Sequence, residues 1–278
     1  MNPVKNRLIF LTLVIVAVIL HFWGENIFAA ESPELPGWDS KMVVIPGEPY
    51  RAGFDPDRAY RMCQRKHPNT CRMSWFEDEA PSRMIVIDTF QIDRYEVTQQ
   101  QFEAVMKSNP SRNKGARLPV DRVTWHEAKT FCRKVGKRLP TEAEWGKAAR
   151  GGAKTVYPWG DRFASGQANH CDLHCSKRWR ETEFKDGFSR SGPVGSFPPN
   201  GYGVYDMTGN VYEWVADWYD EDYYAVRPDH NPPGPGDGSK KVIRGGSWIN
   251  FSVGIRPADR TDADPDDRMA FTGFRCAR

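Results

Sequence analysis

The clearest periodicity lies between residues 98 and 152, where three apolar stripes at helical spacing each follow the same start signal. Thr98, Thr124 and Thr141 stand three positions ahead of Gln101, Glu127 and Glu144, the spacing of a capping box. Behind these starts, Phe102, Val105 and Met106 share one helix face, Ala128, Phe131, Cys132 and Val135 a second, and Trp145, Ala148 and Ala149 a third. Asn109-Pro110, Gly136 and Gly151-Gly152 supply the stops, so three helices are predicted. Met42-Val43-Val44-Ile45 reads as a strand closed by Pro46-Gly47, and Met84 to Val97 as one or two strands carrying Ile85, Ile87 and Phe90. Lys241 to Arg244, ahead of Gly245-Gly246, and Phe271 to Arg275, running into Cys276, are two more. Residues 54–80 carry charge and two cysteines without a clear period, and read as a disulfide-pinned insertion. After residue 152, short strands alternate with long loops, and Pro228 to Ser239 reads as a surface loop. No repeat and no internal boundary is visible between 42 and 278. The expectation is a single, loop-rich α+β domain with little regular secondary structure.

The N-terminus has a different pattern. Lys5 and Arg7 precede an apolar run from Leu8 to Leu20, broken only by Thr12. A basic segment followed by an apolar run of this length predicts export, with residues 1–30 either a cleaved signal peptide or an N-terminal anchor. Ala29 or Ala30 would end the signal, although Ile27 or Phe28 stands where a small residue is wanted. Extending the run through His21, Phe22 and Trp23 gives an anchor at 8–23 that is short for a spanning helix. No cysteine follows the run closely, which argues against a lipoprotein. Residues 31–41 read as a linker, and the expected location is periplasmic or otherwise extracytoplasmic.

Composition adds two constraints. A net charge of +3, with Lys and Arg scattered among acids, gives no basis for a nucleic-acid partner. The six cysteines, Cys63, Cys71, Cys132, Cys171, Cys175 and Cys276, all follow the apolar run, and an even count in an exported chain suggests disulfides. Cys63–Cys71 and Cys171–Cys175 are local candidates, with Cys132 and Cys276 left over. The run His170-Cys171-Asp172-Leu173-His174-Cys175 also admits a zinc or copper(I) reading, or two free thiols; adjacent ligand pairs are cramped for one tetrahedral ion. His126 reads as a helix-surface residue, and His67 and His230 lie in polar loops.

The segment from Phe197 to Trp214 combines turn formers, oxygen donors and aromatics, and looks like a loop folded around a hard cation. Asp206 and Glu213 bracket the backbone of Gly209 and Val211. Asp206 capping a turn and Glu213 pairing with an arginine is the plainer alternative.

Taken in order, Met42-Val43-Val44-Ile45-Pro46-Gly47, Tyr95-Glu96-Val97-Thr98, Pro119-Val120 through Thr124-Trp125, Arg138-Leu139-Pro140-Thr141-Glu142-Ala143-Glu144-Trp145, Tyr157-Pro158-Trp159-Gly160, Ala168-Asn169, the Phe197–Trp214 segment, Arg244-Gly245-Gly246-Ser247-Trp248 and Gly273-Phe274-Arg275-Cys276 resemble the formylglycine-generating enzyme family, also called the sulfatase-modifying factor family. The resemblance covers about residues 42–278. It implies a variant of the C-type lectin fold and a bridge from the helix cysteine to the final one, Cys132–Cys276. It also implies two structural calcium sites, one from Asp206, Glu213 and the carbonyls of Gly209 and Val211, the other from Asn169, Asp186 and the carbonyls of His170 and Phe188.

The namesake enzyme of the family oxidises a substrate cysteine to formylglycine with oxygen and copper(I), held by two cysteines three and eight residues after the serine of Arg-Gly-Gly-Ser. Here those positions are Asn250 and Ile255, and neither can be a thiolate. Copper is therefore not expected, and any other catalytic metal is left open. The stretch Trp248 to Met269 is expected to form a ligand surface, with Arg244, Ser247, Trp248, Asn250, Phe251 and Arg256 as candidate pocket residues. The expected function is binding, or help in maturation, of an extracytoplasmic protein or peptide partner. The alternative is an oxidoreductase with a different metal or cofactor, as in relatives that join sulfur to histidine derivatives with non-haem iron or act on siderophore precursors.

Overall fold

The computed structural model describes residues 42–278. The expected signal or anchor and the linker lie outside the described residues. All three capping boxes form, each with the threonine hydroxyl accepting from the N3 amide and the N3 side chain accepting from the threonine amide. They open helices α2 (Gln99–Met106), α3 (Trp125–Lys134) and α4 (Glu142–Arg150). Gly151 ends α4 at φ 58°, a left-handed stop that glycine adopts freely. Among the described residues, no helix is long and apolar enough to cross a membrane.

The expected insertion contains helix α1 (Pro56–Lys66), which the sequence reading missed. Asp55 caps it and Pro56 starts it, but only Ala59 and Cys63 are buried, a stripe too narrow to show as a period. The Met84–Val97 stretch is two strands, β3 (Arg83–Val86) and β4 (Phe90–Asp93), which pair antiparallel with β2 (Pro49–Ala52) and β1 (Met42–Ile45) respectively.

The remaining sheet has the order β7–β6–β5–β8, built from β5 (Tyr212–Trp218), β6 (Lys241–Arg244), β7 (Arg260–Ala263) and β8 (Thr272–Gly273). Only β5 and β8 run parallel. β8 is shorter than the Phe271–Arg275 strand expected, because the chain then leaves β5 and Ala277 bridges instead to Arg138 and Ile92. β5 lies within and beyond the segment read as a cation loop. Five of its seven residues are buried, the first four in a row, so it carries no clear period-two signal. Two indoles lock it to the start of α3: Trp125 Nε1 donates to the Val215 carbonyl at 2.7 Å, and Trp214 Nε1 donates to the Val123 carbonyl at 3.0 Å.

The main core joins Ile45, Ile85, Ile92, Trp145, Val215 and Val242, so it is shared by the small sheets, α4 and the central sheet. Three disulfides form, Cys63–Cys71, Cys132–Cys276 and Cys171–Cys175, and no cysteine is free.

Candidate functional site

A cavity of about 520 Å³ opens between the α1-containing insertion, the 179 loop and the outer edge of the β7–β6–β5 sheet. Its walls are largely aromatic: Trp75, Phe76, Trp179, Tyr212, Tyr219 and Phe251. Trp75 and Phe251 lie 6.4 Å apart between ring centroids. Three carboxylates, Asp78, Asp259 and Asp262, also line it. Of the six pocket residues expected from the sequence, only Asn250 and Phe251 reach this cavity. Arg244 and Arg256 are buried ion-pair partners instead. Arg244 donates to Glu142 at 2.9 Å, and Arg256 makes a two-pronged pair with Glu79 at 2.8 and 2.6 Å. A fully buried guanidinium must be matched by a carboxylate, so these arginines belong to the frame rather than the pocket. Trp248 is buried beneath Arg190, and Ser247 is turned toward Asn250. The sequence reading missed Trp75, Phe76 and Asp78. Two adjacent aromatics in an otherwise polar insertion were the available signal; Asp78 offered none.

The residues at the two positions where the namesake enzyme has its copper cysteines are each engaged in local structure. Asn250 Oδ1 accepts from the Ser247 amide at 3.1 Å and its hydroxyl at 2.9 Å, while Nδ2 donates to Tyr212 Oη at 2.7 Å. Asn250 thus closes the turn after β6 and fixes Tyr212 in the cavity wall. Ile255 is wholly buried and packs with Val156, Tyr157 and Ala168. With every cysteine in a disulfide, no thiolate stands near either position.

The two oxygen-donor sets differ in how their atoms are engaged. Asn169 is fully buried, and its Oδ1 accepts no hydrogen bond. Asp186 takes the amides of His170 at 2.9 Å and Phe188 at 2.8 Å, which brings all four expected residues into one loop cluster. Burial, with Asp172 adding repulsion, pushes the Asp186 carboxyl up to about 6. Gly209 (φ +82°) lies directly against the Asn169 carbonyl, so close that a Cβ there would collide with it; this joins the second set to the first. In the first set, Glu213 is taken by Arg275 through two bonds of 2.7 Å and by Trp145 Nε1 at 2.9 Å. Asp206 accepts from the Gly195 amide at 2.6 Å. Glu96, which lies in one of the family segments but was not among the expected ligands, is also buried here, and burial together with Asp206 and Glu213 raises its carboxyl well above the usual range. The local pairings match the plainer alternative for Asp206 and Glu213, yet three buried carboxylates share the single guanidinium of Arg275.

The His/Cys run is settled by the Cys171–Cys175 disulfide, which removes both thiolates. His170 is buried between Phe163 and Phe184, with ring centroids 4.5 and 5.4 Å away, and burial pushes its imidazole toward the neutral form. His126 is exposed, as expected. His67 packs against Phe251 in a tilted arrangement, with ring centroids 4.6 Å apart.

Comparison with known proteins decides the family. The model described as "Sulfatase-modifying factor enzyme 1-like domain" matches residues 34–278. The chain belongs to the sulfatase-modifying factor family. Formylglycine-generating enzyme from Thermomonospora curvata is 32% identical over 301 residues, a match covering 85% of this chain and 92% of that protein. The Streptomyces coelicolor enzyme of the same name is 42% identical over 163 residues, covering 57% of this chain and about half (52%) of its own length. The structure of PvdO from Pseudomonas aeruginosa superposes with a TM-score of 0.68 at 29% identity, covering 85% of this chain and 93% of that one. Within this sulfatase-modifying factor domain, the donor chemistry suits calcium at the Asn169 set, where a buried orphan oxygen and a carboxylate are the ligands a hard cation takes up. Asn169, Asp186 and the carbonyls of His170 and Phe188 would hold it. At the Asp206 set, the surplus of carboxylate charge suits a divalent cation, which would share Glu213 with Arg275.

Proposed function

We propose that this protein is an extracytoplasmic, calcium-stabilised binding member of the family, which recognises a peptide or protein partner at the aromatic cavity without copper-dependent cysteine oxidation. The observation that carries the reading is the pair Asn250 and Ile255: one side chain is consumed in a turn, the other is sealed in the core. Copper(I) selects soft sulfur donors, and an amide and an aliphatic chain offer none. Three disulfides and the basic-then-apolar N-terminal sequence support an oxidising location.

Incubation with copper, oxygen and a peptide of the form Cys-Xaa-Pro-Xaa-Arg is expected to leave the peptide cysteine unchanged by mass spectrometry. Clear conversion to formylglycine would sink the reading. Peptides selected from a random display library on the full chain are expected to lose binding to a Trp75→Ala, Trp179→Ala double variant, since both indoles stand at the cavity mouth about 40% exposed. A selection that yields no sequence sensitive to that variant would remove the cavity as the binding site.

Calcium stabilisation has its own test. A cation that binds only the folded chain stabilises it by about 2.7 kcal/mol at a hundred times its Kd. The melting temperature is expected to fall on addition of EDTA and to recover with excess calcium, and Asp186→Asn is expected to blunt that response. Identical melting in EDTA and in calcium would exclude both sites.

A further inference from the structure

The cavity walls hold more acceptor capacity than the protein itself uses. Asp78 is 8% exposed; its Oδ2 accepts from Tyr219 Oη at 2.8 Å, while its Oδ1 has no hydrogen-bond partner. Asp259 is similarly buried, and the nearest cation, Arg256 at 3.6 Å, is already committed to Glu79. The one basic residue in the lining, Arg260, serves these acids only in part: its Nη1 lies 3.8 Å from Asp78 Oδ2 and leaves Oδ1 unpaired. Its Nε and Nη2 donate to Glu142 at 2.7 and 3.1 Å, and its Nη1 donates to the Asp78 carbonyl at 2.8 Å. Asp262, at the rim, is paired with Lys240 at 2.6 Å. The inner cavity is therefore a set of aromatic faces around two carboxylates that lack a full complement of donors. Aromatic faces attract cations, and unsatisfied buried acceptors attract N–H groups.

We infer that this cavity takes the cationic side chain of a peptide, an ammonium or guanidinium group whose N–H donors meet Asp78 and Asp259 and whose stem lies against Trp75 and Phe251. The inference rests on the proposal that the cavity is a peptide site and names the chemistry it selects. Three features support a hydrogen-bonding cation over a neutral aromatic or aliphatic ligand. The acids sit at the inner wall and the indoles at the mouth, the order in which a long basic side chain presents head and stem. Burial pushes the Asp78 carboxyl up to about 6 against the pull of Arg260 and raises that of Asp259 well above the usual range, so a cation bound between them would favour the charged form of both. Two neighbouring buried carboxylates, Glu79 with Arg256 and Glu142 with Arg244 and Arg260, have their guanidinium supplied in cis.

The test uses the full chain and three acetylated, amidated tripeptides, Gly-Arg-Gly, Gly-Lys-Gly and Gly-citrulline-Gly, with tryptophan fluorescence and calorimetry as readouts. Citrulline keeps the shape of arginine and removes its charge. The arginine or lysine peptide is expected to bind at least tenfold more tightly than the citrulline peptide, and the tighter of the two tells guanidinium from ammonium. Asp78→Asn and Asp259→Asn are each expected to remove most of that preference. Should either variant misfold, the comparison on the unaltered chain still decides. Equal binding of arginine and citrulline peptides overturns the inference and leaves the peptide site standing. Binding of none of the three also overturns it, and the display selection then decides separately whether the cavity binds peptides at all.

Discussion

Replacing Cys132 and Cys276 together by alanine is expected to lower stability by about 5 kcal/mol, the largest effect among the three disulfides. In the chain-entropy view, a cross-link stabilises by restricting the unfolded chain, and the effect grows with the logarithm of the loop it closes. This bridge spans 144 residues, against 8 for Cys63–Cys71 and 4 for Cys171–Cys175. The same relation gives only about 2–3 kcal/mol for the short loops. The long bridge also fixes α3 to the C-terminal segment after β8, beside the packed rings of Phe102, Phe131 and Phe274. Urea unfolding of the three paired alanine variants checks the order. If the Cys132/Cys276 variant unfolds at the same midpoint as the parent, the bridge contributes nothing of the kind described.

Glu142→Ala is expected to destabilise by about 3–5 kcal/mol, the range seen when one partner of a buried ion pair is removed. The Glu142 carboxylate, 3% exposed, accepts from Arg244 at 2.9 Å, from Arg260 at 2.7 and 3.1 Å and from Tyr224 Oη at 3.3 Å. Its loss would leave Arg244 without its carboxylate partner and Arg260 with only Asp78, 3.8 Å away. Arg138→Ala removes a pair of similar geometry with Glu144 at 2.6 Å, but the arginine side chain is 47% exposed, so the expected effect is at most about 1 kcal/mol. Equal effects of the two substitutions on the unfolding midpoint would refute the account. The pH dependence follows from the same contacts. Despite its burial, Glu142 is held below the usual glutamate range by Arg260 and Arg244. Its folded value lies below its unfolded one, so its stabilisation is present above the unfolded value and lost as pH falls through the folded one. Asp78, raised to about 6 by burial, has the opposite sign. Its contribution is present at low pH and lost as pH rises through about 6.

Helices α2, α3 and α4 and the single α+β domain were legible because capping and periodicity are local properties, whereas α1 buries too few residues to show a period. The order of short motifs likewise identified the family, and the absence of sulfur at positions 250 and 255 needed no coordinates. Other features were not legible because they depend on burial from several directions. Strand β5 carries no alternation when both of its faces are covered. Arg244 and Arg256 read as pocket residues because a chain of letters does not show that Glu142 and Glu79 meet them from 102 and 177 residues away. The cavity itself is made by an insertion whose aromatic pair, Trp75 and Phe76, lies more than a hundred residues from the other walls.

The sequence alone determined which donor types this protein offers: hard oxygen donors, an even set of six cysteines whose pairing it left open, and no soft ligand at the turn after Arg244-Gly245-Gly246-Ser247. Only the tertiary structure decided which charges are spent inside the frame and which face a ligand. Burial turns four arginines into internal counterions, while Asp78 and Asp259 are left at the cavity wall without enough donors. The physical reason is that pairing a buried charge depends on distance in space, and long-range chain topology, not sequence spacing, sets that distance.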